Sequence, residues 1–412
     1  MIGNALEFYD FTLCGVFINI LGKKFFPSEN EFAALLGGIF AFSAAFWTRP
    51  LGAILFGFIG DRFGRKQALS LSVLLMALSC IIIMANLPTY EQIGITAAWL
   101  VTFCRILQGL SSMGEIVGAN IYLTEITKPP LRYPIVALTD TASSLGGMVA
   151  LLVATLATSI QFNWRSVFWI GSAIALAETM ARTKLRETPE FVMFKNEQSK
   201  KNQTLIKNLE KETFVDAKKI RTKVLLHYFM LSCASPLCFY ITYFYCPSVL
   251  KNSFGYSTEQ CIQQSFIISI FAMMSLTTCA FASYKMHPLI VLKIKFWIFF
   301  PFMFLMPYLL TKSHYMVFAV QFVSIVFSLT ITPAYPILYK YIPVLQRFTN
   351  ASFIYAVSRA ATYIITSFGV IYITNIFSHY GLWIIMIPIS IGYYCGVGYF
   401  TKLEKVKVSK RT

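Results

Sequence analysis

The feature that most constrains this chain is a series of apolar blocks, each about 20 residues long and nearly free of charge. A helix of about 20 residues crosses the ~30 Å hydrocarbon core of a bilayer. The sequence contains twelve such blocks, at 5–26, 33–59, 68–87, 94–125, 135–160, 164–181, 224–249, 260–283, 289–310, 315–340, 351–376 and 380–401. It therefore predicts an all-α membrane protein with 12 transmembrane helices.

The composition excludes the other broad classes. Hydrophobic residues make up 57% of the 412 residues and charged residues only 13%, about half the share of a soluble domain. A soluble enzyme, a secreted disulfide scaffold and a disordered chain are therefore excluded. The blocks are apolar all round and do not fit the alternating strands of a membrane β-barrel. The first block contains Glu7 and Asp10 and lacks a basic start, so we do not expect it to be a cleaved signal.

One long hydrophilic stretch divides the blocks into six and six. We predict an N-terminal six-helix bundle at 1–181, a cytoplasmic linker loop at 182–223, a C-terminal six-helix bundle at 224–401 and a basic cytoplasmic tail at 402–412. Two bundles around a midplane site are the layout of many secondary transporters. The linker either lies on the anionic inner leaflet or is a solvated connection, and the sequence leaves both open.

The positions of Lys and Arg predict the orientation. The net charge is +17, from 35 basic and 18 acidic residues. With the N-terminus inside, 27 basic residues fall on the cytoplasmic side, five fall outside, and Arg49, Arg105 and Arg359 lie within spans. Because cytoplasmic loops are enriched in Lys and Arg, we expect both termini in the cytoplasm. The positive charge is a topology signal and gives no reason to expect nucleic-acid binding.

Cysteine and histidine give no sign of a cofactor. The nine Cys residues fall almost entirely within apolar blocks and form no CxxC pair, as is typical of small core residues. The sequence has no metal-ligand spacing and no phosphate-binding loop. We therefore predict no metal, no cofactor, no direct use of ATP and no enzymatic activity.

Carboxylates within spans are confined to the first half of the chain. From Lys223 onward the only acids are Glu259 and Glu404, which lie outside the predicted spans. A charge inside a bilayer is costly and usually functional. The candidates for proton coupling are Glu7, Asp10, Glu115 and Asp140. For the last two, an ion pair that merely joins helices is an equally good interpretation, and Glu178 near a cytoplasmic helix end is expected to be structural.

Helical spacing groups polar side chains on shared faces. Arg105, Gln108 and Glu115 follow one stripe of the fourth span, and Tyr122 extends it. We expect the first, second, fourth and fifth spans to line one polar cavity, in which Arg guanidinium groups grip a substrate carboxylate. The predicted substrate-binding residues are Arg49, Arg105, Gln108, Tyr122, Tyr9 and Trp47.

The loop after the second span resembles the signature loop of the major facilitator superfamily, in the sequence Gly60-Asp61-Arg62-Phe63-Gly64-Arg65-Lys66. The resemblance implies a cytoplasmic gate in which Asp61 accepts hydrogen bonds from a helix N-terminus across the bundle interface. Arg65 would pair with Glu125 at the end of the fourth span. These contacts would be made in the outward-open state and broken in the other. The predicted gate residues are Gly60, Asp61, Arg62, Gly64, Arg65 and Glu125.

Other stretches resemble the metabolite:proton symporter family within that superfamily. They lie at 3–11, 49–52, 56–57, 105–109, 114–115 and 186–191. Proline/glycine-betaine transporters show the strongest resemblance, and dicarboxylate permeases for 2-oxoglutarate or citrate come next. The resemblance implies the major facilitator fold and a monomer.

The second half departs from the family pattern. The second copy of the gate motif is reduced to Ser283-Tyr284-Lys285-Met286-His287-Pro288, and family likeness returns only around 350–359. The tail after Lys402 is about ten residues long, without the long coiled coil linked to osmosensing. We do not expect an osmosensing role.

Together these features predict a proton-coupled symporter in a bacterial cell inner membrane. It would import a small zwitterionic or anionic metabolite, such as proline or betaine, by alternating access. Its partners would be the substrate, protons and the lipid bilayer. The alternatives are a dicarboxylate permease, a facilitator without proton coupling, and a degenerate relative that no longer transports.

Overall fold

The computed structural model describes residues 1–27, 37, 40–41, 43–79, 87–159, 164–197 and 222–409. Within these ranges the chain is helical and forms no β-strand, which confirms the predicted all-α class. Helices long and apolar enough to cross a membrane lie at Arg132–Ala154, Thr222–Phe254, Thr258–Lys285, Pro288–Leu310 and Tyr372–Lys405. Parts of the predicted second and third spans, and most of the predicted linker, lie outside the described residues.

The first half of the chain is a succession of helices. In order they are α1 Ile2–Val16, α2 Ile18–Phe25, α3 Arg49–Arg62, α4 Arg65–Ser79, α5 Tyr90–Ile93, α6 Ile95–Ile126, α7 Arg132–Ser159, α8 Trp164–Thr183 and α9 at 189–197. Helix α8 includes Arg182 and Thr183, which the sequence placed in the linker. The predicted boundary was too early because the helix continues past the last apolar residue.

The second half contains further helices and two π-helical turns. In order they are α10 Thr222–Ser232, α11 Ala234–Tyr240, a π-turn Ile241–Tyr245, α12 Cys246–Phe254, α13 Thr258–Lys285, α14 Pro288–Leu310, α15 His314–Val326, α16 Tyr335–Tyr339, α17 Val344–Ile364, a π-turn Ile365–Val370, α18 Ile371–Phe377, a 3₁₀ turn Ser378–Gly381 and α19 Leu382–Ser409. Such π-turns interrupt helices, frequently at functional sites.

Local signals explain where some of these helices begin. Ser257 accepts a hydrogen bond from the Gln260 backbone N–H, and Gln260 returns one from its side chain, which forms a capping box before α13. Pro288 occupies the first position of α14, where its missing N–H costs nothing. Two prolines inside α14, Pro301 and Pro307, are tolerated because neighbouring helices compensate in membrane proteins.

The predicted tenth span, 315–340, is interrupted rather than continuous. Helix α15 ends at Val326 and α16 begins at Tyr335, and residues 328–334 between them are non-helical and buried. The Tyr393 hydroxyl donates to the Thr330 carbonyl at 2.9 Å. Non-helical backbone at membrane depth is tolerated where it is buried in protein or lines a cavity. Discontinuous helices of this kind form binding sites in secondary transporters.

The chain folds into two compact units that differ from simple halves. The first comprises Met1–Lys128, Val149–Thr222 and Tyr339–Phe353, and the second comprises Pro129–Met148, Lys223–Leu338 and Ile354–Thr412. The first part of α7 therefore belongs to the second unit. The first turns of α17 belong to the first unit.

Small residues bring α3 and α6 together in the first unit. A Cβ atom at Gly52 would lie 2.4 Å from the Leu110 carbonyl oxygen, and one at Gly109 would lie 2.1 Å from the Ala45 carbonyl oxygen. Such glycines allow helix backbones to approach closely in membrane proteins. This approach places the helices that carry Arg49 and Arg105 side by side.

Candidate functional site

Arg49 and Glu7 form a buried ion pair between α3 and α1. The Arg49 Nη2 and Glu7 Oε1 atoms are 3.1 Å apart, and the Glu7 side chain is 3% exposed. The guanidinium also lies 4.9 Å from the Phe46 ring centroid and 5.9 Å from that of Phe11. Ion pairing and cation–π attraction together hold the Arg49 charge in place.

Arg105 and Asp10 form a second pair between α6 and α1. The Arg105 Nη1 and Asp10 Oδ2 atoms are 3.1 Å apart, and both side chains are buried. The same Nη1 donates to the Gln108 side-chain oxygen and contacts the Cys14 sulfur at 3.2 Å. Each of these two arginines therefore has a carboxylate of its own. A substrate carboxylate would share or displace a partner that is already present.

A third group has two carboxylates and one guanidinium, and we call Ser72, Glu115, Glu178 and Arg182 the acid-rich cluster. Arg182 donates to Glu115, and its Nε lies 2.9 Å from the Glu178 Oε1. Ser72 donates to the other Glu115 oxygen at 2.5 Å. All four residues are buried, and they come from α4, α6 and α8. Among these side chains two carboxylates share one guanidinium, and the amino group of Met1 also interacts electrostatically with Glu115 and Glu178.

Helix α1 packs against the acid-rich cluster at Gly3. A Cβ atom at Gly3 would lie 2.1 Å from the Glu115 Oε2, 2.5 Å from the Arg182 Nη2 and 2.6 Å from the Glu178 Oε1. Only glycine leaves room for these groups. The neighbouring Asn4 is fully buried, and its side-chain amide has no hydrogen-bond partner among the described residues.

Arg65 is the centre of the predicted gate. Its side chain is 0% exposed and makes an ion pair with Glu125 at 3.1 Å. It also donates to the carbonyl oxygens of Gly60 and Val344, both at 2.6 Å. The structure therefore brings together Arg65 and Glu125, and it joins them to Val344, the first residue of α17.

Asp61 binds backbone N–H groups in the second turn of α17. Its carboxylate accepts from the backbone N–H groups of Phe348 at 3.0 Å and Thr349 at 2.9 Å. A carboxylate is stabilised near the positive end of a helix dipole. Burial nevertheless raises the pKa of the Asp61 carboxyl, and the Thr349 backbone N–H and the Arg65 charge partly offset that effect.

The structure extends the gate to residues that the sequence did not single out. Arg347 is buried and pairs with both Glu125 and Glu190, each at 2.8 Å. The Thr188 hydroxyl donates to Glu125 at 2.6 Å. Glu187 accepts from the Arg65 backbone N–H at 3.0 Å. Two buried guanidinium groups therefore share the carboxylate of Glu125, and each has a second, more exposed carboxylate partner, Asp61 for Arg65 and Glu190 for Arg347.

The remaining gate residues have separate structural roles. Gly60 packs against the Phe348 ring, where an added Cβ would lie 2.3 Å from a ring carbon. Gly64 has φ +122°, a conformation that other residues rarely adopt. Arg62 is exposed, and its guanidinium lies 5.4 Å from the Phe58 ring centroid. The two glycines hold the turn and its close approach to α17.

The three aromatic residues predicted to bind substrate each make a different contact. The Tyr9 hydroxyl donates to the Val167 carbonyl at 2.9 Å inside the first unit. Trp47 is 66% exposed and packs edge-on against Phe40. The Tyr122 hydroxyl donates to the Arg186 carbonyl at 2.8 Å. The role of these three residues in binding a substrate stays a prediction.

The polar residues on one face of α6 lie at different positions along the helix axis. A helix rises about 1.5 Å per residue, so Glu115 lies about 15 Å and Tyr122 about 25 Å along the axis from Arg105. Arg105 joins Asp10, Glu115 joins Arg182, and Tyr122 joins the segment after α8. One face of the helix therefore serves three separate groups of contacts.

The contacts of Asp140 are described within the second unit. Asp140 belongs to the part of α7 in the second unit, and its carboxylate accepts a hydrogen bond from the Thr332 hydroxyl in the interrupted tenth span. Arg359 and Lys295 are close enough to interact with it electrostatically. Helix α7 is divided between the two units, and the proton-coupling role of Asp140 stays a prediction.

The sequence did not indicate that three of the cations are buried. Arg182, Lys295 and Arg347 were all counted as cytoplasmic, yet each is buried, with 5–6% of its surface exposed. For Arg182, its position four residues after Glu178 was an available signal, since such pairs meet on a helix. For the other two, the sequence offers no local signal, because their neighbours are distant in the chain.

No three His, Cys, Asp or Glu side chains within the described ranges are placed to hold a metal ion. The cysteines there are unpaired thiols. The chemistry of the site is therefore that of charged side chains, hydroxyls and amides.

Comparison with known proteins gives a consistent result. Residues 1–370 match the family described as Major Facilitator Superfamily. The chain is 31% identical over 268 residues to the proline/betaine transporter of Escherichia coli K12, covering 63% of this chain and 53% of that protein. It is 31% identical over 263 residues to the glycine betaine/proline/ectoine/pipecolic acid transporter OusA of Dickeya dadantii, covering 62% and 52%. The chain thus spans about half the length of the relatives it matches.

Solved structures share the architecture. The proton:xylose symporter XylE bound to 6-bromo-6-deoxy-D-glucose superimposes with a TM-score of 0.76 at 16% identity, over 97% of this chain and 93% of that one. A partially occluded inward-open XylE from E. coli gives a TM-score of 0.67 at 16% identity, over 97% and 95%. At this identity the likeness shows the fold alone.

Proposed function

Because the chain belongs to the major facilitator superfamily, we propose that it is a proton-coupled symporter that imports a small zwitterionic or anionic metabolite. Its relatives named as proline/betaine transporters favour a substrate of that kind. We place it in a bacterial inner membrane as a monomer with 12 transmembrane helices in two six-helix bundles. Both termini would face the cytoplasm, as the Lys and Arg distribution predicts.

The observation that carries proton coupling is the charge balance of the acid-rich cluster. Glu115 and Glu178 share the one guanidinium of Arg182, and all three side chains are at most 8% exposed. An uncompensated charge buried in a membrane protein is expensive. Uptake of one proton by a carboxylate of the cluster would leave one carboxylate paired with its one guanidinium. Glu7 and Asp10, by contrast, each have an arginine partner, so the balance favours Glu115 together with Glu178.

Alternating access would use the gate around Arg65. Asp61, Arg65 and Glu125 hold the start of α17 to the first unit through hydrogen bonds and ion pairs. Opening the cytoplasmic side would break these contacts. Inward movement of a positive charge would gain about 2.3 kcal/mol per 100 mV of membrane potential.

Arg49, Arg105 and Gln108 remain proposed substrate ligands in the first unit. When the site fills, a polar group of the substrate would share or displace their present partners, Glu7 and Asp10. A dicarboxylate permease of the 2-oxoglutarate or citrate type is the second candidate. It is favoured by the positive charges of Lys295 and Arg359 in the second unit. Both cations interact electrostatically with one carboxylate, that of Asp140.

Uptake into proteoliposomes that hold the purified protein tests the proposal. Labelled proline or glycine betaine is expected to accumulate when the outside is acidic, and the accumulation should collapse when an uncoupler is added. Parallel vesicles supplied with 2-oxoglutarate or citrate test the second candidate. Uptake that ignores the uncoupler would contradict proton symport. Absence of uptake for every solute would contradict transport and favour a degenerate relative.

Replacing Glu178 with Gln tests the proton site. The amide still accepts from Arg182 but cannot release a proton, so exchange of labelled substrate should continue while pH-driven accumulation is lost. The control is Glu259→Gln, which changes an exposed acid in the first turn of α13 and should accumulate substrate as the wild type does. If Glu115→Gln and Glu178→Gln both keep full accumulation, the acid-rich cluster does not carry the proton.

A further inference from the structure

The second unit contains an unbalanced group of charges, and we call Asp140, Lys295, Thr332 and Arg359 the cation-rich cluster. Asp140 interacts electrostatically with both Lys295 and Arg359. From Lys223 onward the sequence has only two acids, Glu259 and Glu404, neither in an apolar block. The one carboxylate in the cluster is therefore supplied by α7, and two cations face it.

Lys295 is the least compensated member of the cluster. It lies on α14 and is 5% exposed, and its buried ammonium nitrogen has no hydrogen-bond partner in the part of the chain that the structure describes. Its charge acts on Asp140 and on Cys238 of α11. An ammonium group buried without a partner is strongly disfavoured. A buried group that lowers stability in this way is usually retained for function. Here a bound ligand would supply the hydrogen-bond acceptor that the ammonium group lacks.

Arg359 is similarly placed on α17. Its guanidinium lies 4.8 Å from the Tyr355 ring centroid, and it makes no ion pair in the described residues. It interacts electrostatically with Asp140, Tyr335 and Tyr363. Cation–π attraction to the Tyr355 ring stabilises the guanidinium charge, and its N–H groups remain able to donate to another acceptor.

The backbone beside the cluster has the form of a binding site. Asp140 accepts from Thr332, which lies in the buried non-helical stretch 328–334. Interrupted helices of transporters place backbone polar groups at substrate and ion sites. The cluster therefore combines unwound backbone, one carboxylate and two cations without carboxylate partners of their own.

We propose that Lys295 and Arg359 bind a carboxylate group of the transported solute in the second unit. Binding of one carboxylate brings the two cations and Asp140 to neutrality, and Arg359 can present two N–H groups to it. The inference rests on the proposed transport function and adds the class of solute, one that carries a carboxylate. A quaternary ammonium compound without a carboxylate would not complete the cluster.

Ligand-induced thermal stabilisation of the purified full chain tests this inference without any gradient. The probes are glycine betaine, 2-oxoglutarate and choline, which lacks a carboxylate. We expect at least one of the two carboxylates, and not choline, to raise the Tm of the wild type. Lys295→Met should have a ligand-free Tm equal to or above that of the wild type, yet need at least tenfold more ligand for the same shift. Lys293→Met changes a partly exposed lysine on the same helix and should match the wild type.

Other results would overturn the inference. A structural role for Lys295 predicts the opposite pattern, in which Lys295→Met lowers the ligand-free Tm and leaves the ligand dependence unchanged. Stabilisation by choline alone, or by none of the probes, also overturns it. If Lys295→Met does not fold, Arg359→Gln decides the question by the same tenfold criterion. Uptake that ignores an uncoupler, with the Lys295 effect intact, would contradict proton symport and leave this inference standing.

Discussion

Replacing Glu125 with Ala is expected to abolish uptake and to destabilise the protein by about 3–5 kcal/mol, because it leaves two buried cations without their shared carboxylate. The Arg65 and Glu125 side chains are both 0% exposed, and that of Arg347 is 7% exposed. Thr188 would lose its acceptor as well. The measurement is the Tm of the purified variant together with its uptake rate in proteoliposomes.

The control for Glu125 is Glu190→Gln. Glu190 pairs with the same Arg347, but its side chain is 35% exposed. Pairs exposed to this extent contribute about 0–1 kcal/mol, so the variant should retain most of its stability and uptake. If Glu125→Ala were as mild as Glu190→Gln, Arg65 and Arg347 would not depend on Glu125. If Glu125→Ala is too unstable to purify, the isosteric Glu125→Gln should show a smaller loss of Tm and still lose transport.

Replacing Gly52 with Ala is expected to destabilise the first unit by about 1–3 kcal/mol, the usual effect of overpacking. The added Cβ would lie 2.4 Å from the carbonyl oxygen and 2.8 Å from the Cα of Leu110. Both are backbone atoms, so no side-chain rotation relieves the clash and α3 must move away from α6. Because α3 carries Arg49 and α6 carries Arg105, uptake should fall together with the Tm.

The matched control for Gly52 is Gly398→Ala in α19. A Cβ atom at this position meets nothing within 4 Å. Ala is preferred to Gly inside helices by roughly 0.5–1 kcal/mol, so this variant should be as stable as the wild type or slightly more so. Equal Tm values for the two variants would show that close approach of α3 and α6 is not required.

Much of the local structure was predictable from the sequence. The apolar blocks predicted the bounds of α13 and α14 to within a few residues, because length and hydropathy are properties of a single segment. The gate motif named Asp61, Arg65 and Glu125, which lie together in the structure. The interruption at 328–334 was not predicted, although Pro333 lies within it, because proline is also tolerated inside continuous membrane helices.

The partners of the charged residues were less predictable. Helical periodicity indicated that Arg105, Gln108 and Glu115 share a face of α6, and they do lie on that helix. It could not show that Glu115 reaches Arg182, 67 residues away, while Arg105 reaches Asp10, 95 residues away. Periodicity fixes direction around one helix, and it says nothing about which helix lies opposite.

The sequence by itself determined the membrane environment, the all-α class and the family, because these follow from apolar length and from short motifs. The tertiary structure decided which charges balance. It gave Glu7 and Asp10 an arginine each, left the acid-rich cluster with an excess carboxylate, and left the cation-rich cluster with an excess cation. The physical reason is that a buried charge depends on partners within a few ångströms, and folding draws those partners from distant parts of the chain.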